Sequence, residues 1–213
     1  MITGCGSGLG SSLVKKSINY PAKIFAHYRS GNIPNALIGD ITQNEFLNCL
    51  PKYLEDNNID VFINNAAIYT NGTIIDTTDE QITQLIYTNL TSQILILKRV
   101  FEFFNKKKSG LIVNINSLAG LYPSPKESVY CASKFGLYGF SKSLQLEAIG
   151  GKIEIVDVFP GAMKTKMTYS RSNYEFLMDT CEIAETIYDI VFNDKKHFIN
   201  EVVIRRKKDL SMD

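Results

Sequence analysis

The chain opens Met1-Ile2-Thr3-Gly4-Cys5-Gly6-Ser7-Gly8-Leu9-Gly10-Ser11-Ser12-Leu13-Val14. A short apolar start, a run of glycines, and then Leu9, Leu13 and Val14 on one helical face read as strand, turn and helix. Glycine tolerates positive φ and close backbone approach, and a helix N-terminus offers free N–H groups and a positive dipole end. That layout suits a pyrophosphate. It does not suit a phosphate-cradling P-loop, which needs Lys and Ser/Thr after the last glycine, where Ser11-Ser12 stand. A three-and-three glycine spacing also fails, because Ser7 occupies its middle position. The remaining reading without a ligand is a plain glycine-rich turn.

Strand and helix patterns alternate from here almost to the end. Strands are expected at residues 1–3, 23–28, 36–38, 61–63, 111–115, 153–159 and 201–204. Helices are expected at 8–19, at 43–57 with a kink or break at Pro51, at 78–88 leading into 90–107, at 128–149, and at 183–192. The strands 61–63 and 111–115 are apolar but for Asn114, as in a sheet covered on both faces. The fold class is α/β, a doubly wound parallel sheet in three layers. With 213 residues and no repeat or linker, one domain over residues 1–213 is the economical organisation.

Composition excludes several functions. A formal net charge of +1 leaves no electrostatic footprint for nucleic acid or an anionic membrane. The short basic runs Lys106-Lys107-Lys108 and Arg205-Arg206-Lys207-Lys208 read as solvated element ends. Cys5, Cys49, Cys131 and Cys181 are scattered, and His27 and His197 are far apart, so no metal site is expected and free thiols are. No signal peptide is visible, and the apolar run at Ile94–Leu97 is cut by Lys98 and Arg99. A cytoplasmic location follows.

A second constellation lies downstream. Tyr130 and Lys134 share a helix face, and Ser117 ends an apolar strand thirteen residues before the tyrosine. A phenol ionises near pH 10, and a neighbouring ammonium is expected to bring that down for acid–base work. Ser117 would hydrogen-bond a substrate oxygen on which charge develops. The Tyr-x-x-x-Lys spacing recurs at Tyr138 and Lys142. Eight residues is about 12 Å along a helix, so both pairs cannot serve one site, and Tyr138 is assigned to packing.

The glycine turn and this set together resemble the short-chain dehydrogenase/reductase family in its simple single-domain branch. Thr3, Gly4, Gly8 and Gly10 match its Thr-Gly-x-x-x-Gly-x-Gly motif, and Asn64-Asn65-Ala66-Ala67 its Asn-Asn-Ala-Gly segment. Asn89, Ser117, Tyr130, Lys134, Pro160-Gly161 with Thr165, and Asp40 fall at matching positions. The resemblance implies strand order 3-2-1-4-5-6-7. It also implies an oxidoreductase passing a hydride between a nicotinamide and a carbonyl or secondary alcohol. Tyr130 would be the acid in reduction and the base in oxidation. Lys134 would lower its pKa, Ser117 would orient the carbonyl, and Asn89 would hold a water linking Lys134 to solvent. Cofactor contacts are implied for Thr3, Gly4, Ser7, Gly8, Leu9, Gly10, Arg29, Ser30, Asp40, Ile41, Asn65, Ala66, Ala67, Tyr130, Lys134, Pro160, Gly161, Met163 and Thr165.

An acidic residue ending the second strand would favour NAD(H). Tyr28, Arg29 and Ser30 stand there, and an arginine fork suits a 2′-phosphate, so NADP(H) is favoured and NAD(H) is the alternative. Two departures stand out. Ala67 replaces a glycine and would be strained at positive φ. The stretch from Arg29 to Asp40 is too short for the family's usual helix, which leaves the adenosine side open.

The substrate, a small carbonyl compound or alcohol, is expected between Leu118, Leu121 and Tyr122 on one side and Met163, Met167, Tyr169 and Tyr174 on the other, with Arg171 a surface cation. A homodimer, and beyond it a tetramer, is implied through the helices 90–107 and 128–149, burying Leu95, Phe103 and Phe135. A non-catalytic dinucleotide-binding sensor or regulatory module of the same fold is the competing reading.

Overall fold

In the computed structural model, which describes residues 1–192 and 197–206, parallel strands alternate with helices as expected. The strands are β1 (His27–Tyr28), β2 (Leu37–Ile38), β3 (Val61–Asn64), β4 (Gly110–Ile115), β5 (Ile153–Pro160) and β6 (Glu201–Ile204). The helices are α1 (Gly8–Lys16), α2 (Asn44–Asp56), α3 (Asp79–Ile86), α4 (Ser92–Lys107), α5 (Ser128–Glu147) and α6 (Thr180–Phe192).

β1 and β2 pair with each other, and β3-β4-β5-β6 form a four-stranded sheet, every pairing parallel. The expected first strand is reduced to single-residue bridges: Ile2 pairs with Ala26 on one side and Ile63 on the other. Its backbone is bonded both ways, Ile2 N–H to Phe25 at 2.9 Å and Thr3 N–H to Ile63 at 3.0 Å. The positive φ of Gly4, 71°, then turns the chain out of the sheet before a longer strand can form. Counting Ile2 as the first strand, the seams give the implied order.

Alternation along the strands sends side chains to two cores. Phe62, Ile112 and Ile155 meet Leu50, Leu54, Leu97, Val100, Phe104 and Leu137 from α2, α4 and α5. Ile63, Val113, Val156 and Val158 meet Leu9, Leu13, Ile187 and Tyr188 from α1 and α6. Each fully buried leucine there contributes about 1.5–3 kcal/mol.

Three local expectations change. α2 runs unbroken through Pro51, its face held by buried Phe46, Leu47, Leu50 and Leu54. α3, capped by a reciprocal Thr78–Gln81 box, joins α4 through a π-helical turn at Tyr87–Thr91. Lys107 is not simply solvated, since its ammonium bonds Asp60 Oδ1 at 2.6 Å and the Ile59 carbonyl at 2.9 Å. Among the described residues no helix is long and apolar enough to cross a membrane.

Candidate active site

One cleft of about 1280 Å³ runs over the C-terminal ends of the strands. Parallel α/β sheets bind ligands at that edge.

Its floor is the glycine turn. Gly4 (φ 71°) and Gly8 (φ 53°) hold left-handed conformations. A Cβ on Gly10 would lie 2.2 Å from the Gly4 carbonyl and 2.7 Å from Asn65 Nδ2, so only glycine fits where α1 crosses the turn. Thr3 secures the turn from below, its Oγ1 accepting from the Asn65 and Ala66 N–H groups at 2.9 and 3.0 Å. Asn65 Nδ2 donates to the Thr3 carbonyl at 2.8 Å. His27, which sequence reading passed over, holds it from the side. Its Nδ1 accepts from the Gly4 N–H at 3.1 Å while Nε2 bonds the Gly39 carbonyl at 2.8 Å. Burial lowers the His27 pKa, so the neutral ring that this pairing needs is the favoured form.

Ser7, Gly8, Leu9, Arg29, Ser30, Asp40, Ile41, Asn65, Ala66, Ala67, Pro160, Gly161, Met163 and Thr165 line the cleft beside Gly4. Thr3 and Gly10 do not; they shape its floor from behind. Ala67 is not among the positive-φ residues, so the anticipated strain is absent. Burial pushes the Asp40 carboxyl up, but two hydrogen bonds from Thr42 and the charge of Arg29 more than offset this and hold it low. Residues 29–35 are all exposed and contain no helix.

Ser117, Tyr130 and Lys134 meet at the other end. Ser117 follows β4 and accepts the Ala119 N–H at 3.1 Å. Lys134 is buried, donating to the Ile115 carbonyl at 3.1 Å, with Nζ 5.9 Å from the Tyr130 ring centre. Burial brings this ammonium down to about 8. The anticipated fall in the tyrosine's pKa is not found. Burial pushes Tyr130 up to about 12, a hydrogen bond with Ser117 opposing it and the charge of Glu127 adding to it. The ammonium turned toward Ile115 does not outweigh desolvation of the phenol.

Asn89 lies outside the cleft. Within the π-helical turn its Oδ1 accepts the Ile68 N–H at 2.9 Å and its Nδ2 donates to the Ile68 carbonyl at 2.7 Å. It therefore clamps the loop after β3. Tyr138 and Lys142 also lie elsewhere, both donating to Glu201 Oε1 at 2.8 Å. Packing was the right assignment for Tyr138, with the addition of a polar anchor.

The substrate end is lined by Leu118, Tyr122, Met163 and Met167. Leu121 is not among the lining residues, and Tyr169 and Tyr174 pack on each other, ring centres 5.3 Å apart. Arg171 is not a surface cation. It reaches into the cleft, donates to the Tyr69 hydroxyl at 2.7 Å and pairs with the buried carboxylate of Glu127. Arg205 lies over the Tyr122 ring at 4.7 Å, and it and Arg206 line the cleft in place of the solvated strand end expected. Lys207 and Lys208 lie outside the described residues.

Comparison with known proteins agrees with this geometry. A family model described as short chain dehydrogenase matches residues 1–175. The 3-oxoacyl-(acyl-carrier-protein) reductase FabG of Chlamydia trachomatis is 30% identical over 80% of this chain and 75% of its own. That of Haemophilus influenzae is 29% identical over 79% and 75%. The fold matches the solved structure titled ElxO with NADP bound, with TM-score 0.84, 24% identity and coverage of 95% of each chain. The chain belongs to the short-chain dehydrogenase family and is an oxidoreductase of that class.

Proposed function

We propose that the chain uses NADP(H) to interconvert a small carbonyl compound and its secondary alcohol, with Tyr130 as general acid in reduction and general base in oxidation. The observation that carries this reading is the meeting of Ser117, Tyr130 and Lys134 in the same cleft as the glycine turn. The turn fits a dinucleotide, because Gly4 and Gly8 hold left-handed conformations where α1 begins and both line the cleft.

Gly4, Gly8 and the α1 N-terminus would hold the pyrophosphate, Arg29 and Ser30 the 2′-phosphate, Asp40 and Ile41 the adenine side, and Pro160, Gly161, Met163 and Thr165 the nicotinamide. The bound nicotinamide supplies or accepts the hydride. In reduction, the carbonyl oxygen gains the Tyr130 proton as the carbon gains hydride, leaving a phenolate that a proton from solvent restores. A phenol near 12 is protonated at neutral pH and ready to donate. Ser117 steadies the developing alkoxide. Lys134 lies one turn from Tyr130, placed to favour the phenolate once it forms. Asn89 contributes by fixing Ile68 at the cleft edge.

FabG-type relatives make a 3-oxoacyl thioester the first substrate to try. The expected result is NADPH oxidation followed at 340 nm with acetoacetyl thioester or another member of a carbonyl panel. No turnover across the panel, despite tight cofactor binding, would favour the sensor reading. Calorimetric titration should show NADPH binding at least about tenfold tighter than NADH, a preference lost in Arg29→Ala. Equal affinity in the wild type would remove Arg29 from the cofactor assignment.

A homodimer in the cytoplasm, built on α4 and α5, is part of the same proposal. Phe135 is 42% exposed and available to it. Phe103 is not, being buried in the chain's own core. A monomer by light scattering at micromolar concentration would refute the dimer.

A further inference from the structure

Three residues from distant parts of the chain converge beside Tyr130. Tyr69 comes from the loop after β3, Glu127 from the cap position just before α5, and Arg171 from the loop between β5 and α6. The Tyr69 hydroxyl donates to Glu127 Oε1 at 2.6 Å and accepts from Arg171 Nη2 at 2.7 Å. Arg171 Nη2 also pairs with Glu127 Oε1, closing the triangle. The guanidinium lies 5.5 Å from the Tyr69 ring centre, and that ring meets Tyr130 edge-on at 5.0 Å and 85°. The Glu127 side chain is only 9% exposed and that of Arg171 29%. Burying this carboxylate without its cation would be costly, so the pair holds the loop down.

We propose that Arg171 is a positioning residue: it latches the substrate-side loop onto Glu127 and, through Tyr69, fixes the ring of Tyr130 and offsets the charge of Glu127 beside it. The proposal rests on Tyr130 being the proton-transfer group. Two effects follow from the geometry. A loop held at Arg171 keeps the cleft wall at Met163 and Met167 in place. Glu127 opposes ionisation of the phenol, and Arg171 is its counter-charge. The other groups facing Tyr130 are Cys131 and Lys134 on its own helix and Ser117 after β4. None of these belongs to the substrate-side loop.

The test uses the full chain with NADPH and its best carbonyl substrate, comparing wild type with Arg171→Met, Arg171→Lys, Glu127→Gln and the Arg171→Met/Glu127→Gln pair. Hydrogen exchange of residues 162–178 is expected to quicken about tenfold in Arg171→Met. Its kcat is expected to fall tenfold or more, roughly as for other misplaced catalytic groups, with NADPH affinity kept. In the oxidation direction, the pH of half-maximal rate should rise by about one unit in Arg171→Met and fall in Glu127→Gln. The double variant should return near the wild-type value, and Arg171→Lys should keep it while losing part of the loop protection.

Unchanged exchange in Arg171→Met overturns the latch. Faster exchange with unchanged kcat and pH profile overturns the positioning role. If wild type turns over nothing on the panel, the proposed function fails by itself, and the Tyr130 titration followed by carbon-13 NMR of labelled tyrosine decides the electrostatic part: a phenol that titrates alike in wild type and Glu127→Gln overturns it.

Discussion

Helix α5 carries the same pair twice. Tyr130 with Lys134 and Tyr138 with Lys142 have the same spacing, and each ammonium lies about the same distance from its ring, 5.9 and 6.0 Å. Even the phenols agree, both pushed up to about 12 by burial. What differs is the company kept. Lys142 forms an ion pair with Glu201 and its side chain is 41% exposed, whereas Lys134 is buried without a carboxylate, bonded only to a carbonyl among the described contacts. Tyr138 donates a hydrogen bond to the same Glu201 and packs edge-on against Phe159, while Tyr130 bonds Ser117 on the lining of the cleft. A local motif thus specifies geometry, and the surrounding fold decides whether the lysine is spent on structure or left to act.

Replacing one hydroxyl in each pair tests this most severely. Tyr130→Phe is expected to cut turnover by roughly 10²–10⁴ while NADPH affinity changes little. Tyr138→Phe should keep turnover and cost about 1 kcal/mol of stability from the lost bond to Glu201. Equal losses of turnover in both variants, measured as kcat at saturating cofactor, would erase the distinction.

A smaller effect separates the structural half by pH. Asp157, fully buried beneath the second pair, accepts from Ser141 at 2.7 Å, and burial pushes its carboxyl up to about 7. A carboxyl that ionises near 4 when unfolded and near 7 when folded holds its proton more tightly in the native state. Its stabilising contribution is therefore complete below about pH 4 and is lost as pH rises through 7. Urea unfolding should show lower stability at pH 8 than at pH 5, by about 2.7 kcal/mol from this group. Asp157→Asn should flatten that dependence, and a variant with the wild-type slope would remove Asp157 as its source.

The smallest change in stability separates the lysines. Lys142→Met should cost no more than about 1 kcal/mol, as partly exposed ion pairs do, with turnover kept. Lys134→Met should abolish most turnover with a comparably modest change in melting temperature. Similar kinetics for the two would mean that burial without a carboxylate is not what sets Lys134 apart.

What could be read from sequence was whatever short spacing encodes. Gly4, Gly8 and Gly10 announce their turn because the steric demand lies within one crossing of the chain. Tyr130 and Lys134 declare a common face because a helix fixes it. The parallel sheet was legible through alternation, while its order came only from the resemblance, and Ile2 alone does the work expected of residues 1–3. The Arg171 cluster was illegible, since its partners stand 102 and 44 residues away and an arginine in a polar loop looks like a solvated cation. Phe103 was misread because an apolar helix face does not say whether the covering surface is its own chain or another. The direction of the Tyr130 shift was misread too, because desolvation depends on everything packed around the ring.

The bare connection between β1 and β2 has a practical side. Residues 29–35 are all exposed, with no helix to roof them, so the edge of the cleft next to Arg29 and Asp40 has no ceiling. A dinucleotide seated as proposed would leave its purine reachable from outside. Resins and fluorescent reporters coupled through the adenine amino group would then be accepted without trimming the protein, which makes affinity capture on such a matrix a natural route to purify it.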